Sequence, residues 1–158
     1  SYSGYVSDVR SWWVQSVSSS WAHCRAEAVH VLQQESQLQE IVRLVGPDTL
    51  PDQPRFVLFM ARLIKEGFLQ QNALDPIDAY TPPAKQAAML DLLEHVYERG
   101  QEIIELGAPV GRLQNEVTLW PQLMRVKNTV PNDDTKAIDS LDRQIGEQLA
   151  KIRKDYEP

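Results

Sequence analysis

Histidines and carboxylates at helical spacing are the first places where this chain could do chemistry. His23, Glu27 and His30 stand four and three residues apart, so on a helix they share one side and offer a metal two imidazole nitrogens and a carboxylate. No ExxH or HExxH pair recurs on another segment to complete such a site, as helical di-metal bundles require. A solvated helix face is therefore expected, and no metal ligand is assigned. His95 follows Asp91 by one turn and reads as a surface pair. Cys24 has His23 beside it, but neighbouring helical positions point about 100° apart, so an ordinary buried or half-buried thiol is expected. Phe56, Phe59 and Met60 read as core. The glycine-rich loop ending in Lys and Ser or Thr that cradles nucleotide phosphates is absent. No catalytic residue is assigned.

The elements that would position these residues follow from composition and periodicity. At 158 residues the chain fits one domain with a substantial core. Its formal net charge of -6 is spread over both signs, which argues against nucleic acid as a partner, because phosphate neutralisation needs clustered Lys and Arg. A single cysteine excludes an intrachain disulfide and fits a reducing compartment. No run reaches the roughly 18 apolar residues of a membrane span, and Ser1–Arg10 lacks the layout of a signal peptide. A cytoplasmic location without membrane insertion is the expectation.

In chain order, Ser7 is placed to cap a short helix from about Asp8 to Val17, which carries Trp12 and Trp13 after Tyr2 and Tyr5. Ser18 to Ser20 break it. From Trp21 to Val45, apolar residues at Ala28, Val31, Leu32, Leu38, Ile41, Val42 and Val45 predict one long helix with a single buried face. Gly46 and Pro47 stop it. A stiff loop leads to a second helix, about Arg55 to Gln70, with Pro54 in its first turn and a broad face of Phe56, Phe59, Met60, Leu63, Ile64 and Phe68. Two helices so joined predict an antiparallel hairpin.

The segment Gln71 to Pro76 ends the second helix. Thr81 is expected to cap a third, with Pro82 at its first position and Leu90, Leu93, Val96, Tyr97, Ile103 and Ile104 buried, closed by Gly107 and Pro109. Gly100 inside this run predicts a close helix contact or a bend. Shorter helices fill Val110 to Val130, with Pro121 opening one. Asn132 or Asp133 is expected to cap a last helix carrying Ile138, Leu141, Ile145, Leu149 and Ile152. No stretch alternates long enough to predict a strand. The fold class is all-α, a helical bundle with a long antiparallel hairpin.

Several words of the sequence resemble a known family. SYSGYVSDVRSWW, LQQESQLQEIVRLVGPDTLP, ARLIKEGFLQQNALDPIDAYTPPAKQAAML and, more loosely, LMRVKNTVP are similar to successive blocks of the C-terminal helical domain of the catalytic A (alpha) subunit of V/A-type rotary ATPases. The resemblance implies that residues 1–158 are that domain, without the N-terminal and P-loop nucleotide-binding domains, and that residues 1–18 form the junction with the latter. It implies ATP or ADP and magnesium in the parent complex and no cofactor in this chain. Implied partners are the same subunit's nucleotide-binding domain, a central rotor stalk and a non-catalytic B subunit, in the peripheral sector of a membrane-associated complex coupling ATP hydrolysis or synthesis to ion movement.

Two sets of residues inherit roles from the resemblance. The loop Pro47, Asp48, Thr49, Leu50, Pro51 and Asp52 stands where F-type relatives carry the acidic DELSEED loop and is expected to contact the rotor. With Asp48 and Asp52 as its acids and prolines around them, pushing by a stiff shape is expected more than pushing by charge. Ala73 and Leu74 are expected to give apolar cover to the adenine ring, leucine offering contact without stacking. The alternative reading is an independent helical adaptor binding a partner helix.

Overall fold

The computed structural model describes residues 21–70 and 81–158. The short helix expected over Asp8–Val17, its aromatic residues, the serine break, the 1–18 junction and the stop at Gln71–Pro76 lie outside the described residues. Within them every regular element is helical. The elements are α1 (Trp21–Val45), a 3₁₀ turn (Pro47–Thr49), α2 (Asp52–Ile64) running into a π-helical turn (Lys65–Leu69), α3 (Pro83–Glu105), α4 (Val110–Glu116), α5 (Trp120–Met124), α6 (Val126–Thr129) and α7 (Thr135–Lys154). The all-α prediction holds.

Helix α3 is the centre. Its residues Leu92, Leu93, Val96, Tyr97, Ile103 and Ile104 are buried, and α1, α2 and α7 all pack against it. From α7 come Ile138, Ile145, Leu149 and Ile152, the face that the last helix was expected to bury. From α2 come Phe56, Met60, Leu63 and Ile64, and the breadth of that face lets α2 touch α1, α3 and α4 together. Glu35 and Lys65, at similar distances in sequence on either side of the turn, pair at 2.8 Å and tie the two legs of the hairpin.

Gly100 is where α2 meets α3 most closely. A Cβ there would overlap the Phe56 ring, lying 2.7 Å from its Cε1, and would stand 3.3 Å from Leu113 Cδ2. Phe56 cannot easily yield, because it is buried and stacks on Tyr97 at 6.2 Å with the rings 3° from parallel. Of the two causes expected for this glycine, the close contact is the one seen.

The helix ends depart from expectation in instructive ways. Helix α3 opens at Pro83 with Pro82 as its cap, and the Thr81 hydroxyl makes no capping bond. The consecutive prolines fix the entry geometry, and Pro83 has no amide that needs a cap. Helix α7 is capped by Asp134, whose carboxylate accepts from the Ala137 amide at 3.1 Å, not by Asn132 or Asp133. Asn132 is engaged elsewhere, accepting from the buried Lys85 Nζ at 3.3 Å. The second helix begins earlier than Arg55 and changes to π geometry after Ile64, with the Gln70 amide donating to the Lys65 carbonyl at 2.8 Å.

Gly100→Ala should lower stability by about 1 kcal/mol or more, overpacking outweighing the helix preference for alanine. Gly111→Ala, in α4 with nothing within 4 Å of the added methyl, should instead stabilise by about 0.5–1 kcal/mol. Urea midpoints of the two variants check the opposite signs.

Candidate functional site

The tip of the hairpin is built from the last turn of α1 and the link to α2. Gly46 adopts φ +86, in the region that favours glycine, and its amide donates to the Val42 carbonyl at 2.8 Å, closing α1. Pro47 sets the 3₁₀ turn, in which the Leu50 amide reaches the Pro47 carbonyl at 3.3 Å. The Thr49 hydroxyl donates to the Gly46 carbonyl at 2.8 Å, satisfying a carbonyl at the helix end. These local bonds stiffen the turn without help from the rest of the domain.

What the tip presents is apolar. Leu44 is 84% exposed, Val45 55% and Ile41 46%. The sequence pattern placed Ile41 and Val45 on a buried face of α1, and the structure corrects this. Only Trp21, Cys24 and Val31 of α1 are fully buried, all in its N-terminal half. The same three-and-four spacing that makes core near Val31 makes open surface at the tip. Leu44 stands outside the positions that the spacing assigned to the buried face, and it is the most exposed of the three tip residues.

The loop residues expected to act together do not face alike. Pro47, Asp48, Thr49 and Pro51 are exposed, while Leu50 is half-buried. Asp52 turns inward: its Oδ1 accepts from the Val110 amide at 3.0 Å, capping α4 across the fold. Asp48 is the free acid of the tip. Ala73 and Leu74 lie outside the described residues. The segment that carries them is approached from Gln70, whose carbonyl, like that of Phe68, accepts from the buried Lys127 Nζ, the Phe68 bond being 2.9 Å.

The titratable residues singled out on α1 and α3 find other partners than the sequence suggested. His95 Nδ1 lies 2.6 Å from Asp142 Oδ2 on α7, and Arg99 joins the same carboxylate at 3.2 Å. Asp91, its expected partner, instead accepts from the buried Cys24 thiol at 3.3 Å. His23 does not converge with Glu27 and His30. It reaches across to α3, where its Nε2 stands 3.2 Å from Glu94 Oε1 and 4.0 Å from Glu98 Oε1. Burial, reinforced by hydrogen bonding and repulsion from Glu98, pushes the Glu94 carboxyl up to about 7, against the opposing pull of His23.

Among the described residues the chain is an all-α domain whose hairpin ends in exposed aliphatic side chains. Comparison with known proteins gives the family. The profile for the C-terminal domain of V and A type ATP synthase matches residues 10–110. The chain is 41% identical over 153 residues to the A subunit of the A-type ATP synthase of Methanopyrus kandleri, covering 96% of this chain and 26% of that protein. It is 37% identical over 157 residues to the V-type ATP synthase alpha chain of Halothermothrix orenii, covering 99% of this chain and 26% of that one. The chain belongs to the V/A-type ATP synthase catalytic-subunit family, in its C-terminal domain, and spans about a quarter of the length of these relatives.

Asp52→Ala should cost about 1 kcal/mol through the lost cap on α4, while Asp48→Ala should stay within about 0.5 kcal/mol of the parent, as read from denaturant unfolding. A second outcome follows from Glu94. Its folded pKa lies above the ordinary glutamate value, so its stabilising contribution is complete below about pH 4.3 and is lost as pH rises through about 7. In chelator-treated buffer, the fall in melting temperature between pH 5 and pH 8 should be smaller in Glu94→Gln than in the parent chain.

Proposed function

We propose that this chain is the lever of a V/A-type rotary ATPase catalytic subunit: it receives the movement of a neighbouring nucleotide-binding domain and delivers it to a central rotor stalk through the hairpin tip. The observation that carries the reading is the exposed apolar end of α1, Ile41, Leu44 and Val45, held beside a turn stiffened by Gly46, Pro47 and Thr49. An exposed cluster of large aliphatic residues on a rigid protrusion marks a contact surface.

The rotor contact is then made by Leu44, Val45, Pro47, Asp48, Thr49, Leu50 and Pro51, with Ile41 at its border. Asp52 supports it from behind by fixing the base of the loop to α4. Shape and apolar contact transmit the force and the single free acid Asp48 adds little, because an exposed charge is screened by solvent and salt. Strain passes inward because the legs of the hairpin are packed against α3, and packed interiors compress little.

Ala73 and Leu74 give apolar cover to the adenine of ATP or ADP held, with magnesium, by the same subunit's nucleotide-binding domain. That interface is completed by a non-catalytic B subunit. No described helix is long and apolar enough to cross a membrane, which suits a place in the peripheral sector of the membrane-associated complex.

The test uses the full-length catalytic chain in the assembled complex. Leu44→Ser with Val45→Ser should reduce ATP-driven ion transport several-fold with nucleotide binding unchanged, whereas Asp48→Ala should leave transport within about twofold of the parent. Equal transport in the Leu44, Val45 double variant and the parent, or a large loss with Asp48→Ala alone, would overturn the apolar-tip reading.

A further inference from the structure

The seam between the first turns of α1 and the middle of α3 lies apart from the hairpin tip and has chemistry of its own. We propose that His23, Glu94 and Glu98 form a binding site for one divalent transition-metal ion, with zinc the best match to the donors.

The geometry is that of a site drawn from two helices. One imidazole nitrogen and one carboxylate oxygen from each glutamate lie within 4.8 Å of one another. His23 Nε2 stands 3.2 Å from Glu94 Oε1 and 4.0 Å from Glu98 Oε1. Donors bound to zinc at about 2.1 Å in tetrahedral array are about 3.4 Å apart, so the observed spacings bracket what the ion needs. The Glu98 side chain is 61% exposed and free to make the closing movement of the longer one.

Charge and burial point the same way. Glu94 and Glu98 are four residues apart on one helix, where like charges repel. The Glu94 side chain is only 7% exposed, and its hydrogen-bond partners among the described residues belong to the cluster itself. A carboxylate this buried either keeps its proton or takes a balancing cation or metal, and one imidazole carries at most a single positive charge against two ionised carboxylates. A divalent ion balances both.

The donor set selects the kind of ion. Calcium takes six to eight oxygens and magnesium keeps several waters in a strict octahedron, whereas an imidazole with two carboxylates suits zinc and its neighbours. The His23 side chain is 60% exposed, leaving an entry path and room for water at the fourth position. An ion there would brace α1 against α3 at the end of α1 opposite the hairpin tip. The inference stands independently of the lever reading.

The experiment strips the full chain with chelator, removes the chelator, and titrates ZnCl₂ near pH 7 by calorimetry, with thermal unfolding in parallel. The expected result is one ion per chain and a melting temperature that rises with zinc concentration. His23→Ala and Glu98→Gln, both at exposed positions, should keep the parent circular dichroism and weaken zinc binding about tenfold or more. Cys24→Ser and His95→Ala should bind as the parent does. Absence of saturable binding would overturn the proposal. So would equal affinity in the parent, His23→Ala and Glu98→Gln, which would mark adventitious surface binding, or loss of binding in Cys24→Ser or His95→Ala, which would move the ion elsewhere.

Discussion

The contact between Phe56 and Gly100 sets the rest of the structure in place. With no side chain at position 100, the Phe56 ring of α2 lies against the backbone of α3 and stacks on Tyr97 one turn away. That fixes the start of the hairpin's second leg, about one turn after the loop, on the central helix. Phe59, on the adjacent side of α2, meets Trp120 edge-on at 5.2 Å, and the Trp120 indole donates to the Leu113 carbonyl at 3.0 Å. The short helices α4 and α5 are thereby held against the same leg. The end of the second leg nearest the tip is thus held by aromatic rings in fixed arrangement.

Two buried lysines close the opposite side. Lys85 is fully buried and donates to the Lys127 carbonyl at 2.9 Å, the Val130 carbonyl at 2.6 Å and Asn132. Lys127 in turn donates to Phe68 and Gln70. Backbone carbonyls left without partners at the ends of α6 and the π turn thus meet ammonium groups, which both satisfies the carbonyls and makes burial of the charges tolerable. The end of the hairpin's second leg is tied through this chain to the start of α3. The described part of the chain around the proposed nucleotide-contacting segment is therefore anchored on both sides, at Gln70 and at Thr81, whose carbonyl accepts from Gln86 at 2.7 Å.

The two ends of α1 have opposite characters for one reason, the availability of neighbours. At its start Trp21 and Cys24 pack with Ala87 and Leu90 of α3 in a small apolar cluster, and His23 reaches Glu94 and Glu98 beside it. At its finish Ile41, Leu44 and Val45 are exposed. One end of the rod belongs to the body of the domain and the other presents aliphatic residues to solvent, the asymmetry on which the proposed rotor contact rests.

The sequence by itself determined the all-α class, the extent of α1, the stop at Gly46 and Pro47, and the buried faces of α3 and α7, because helical periodicity and chain-breaking residues are local properties. Its long family-specific words also determined membership. Tertiary structure alone decided which aliphatic residues of α1 are core and which are tip, since Val31 and Val45 look alike in one dimension and differ only in what lies opposite. It decided that Asp52 caps α4, that Asn132 serves Lys85 and leaves the cap of α7 to Asp134, and that His95 pairs with Asp142. It also brought His23 to Glu94 and Glu98 across two helices, where the spacing alone had placed it on a solvated face with Glu27 and His30. Each of these joins residues far apart in the chain, and sequence spacing carries no information about which helix a polar side chain will face once the apolar faces have chosen their partners.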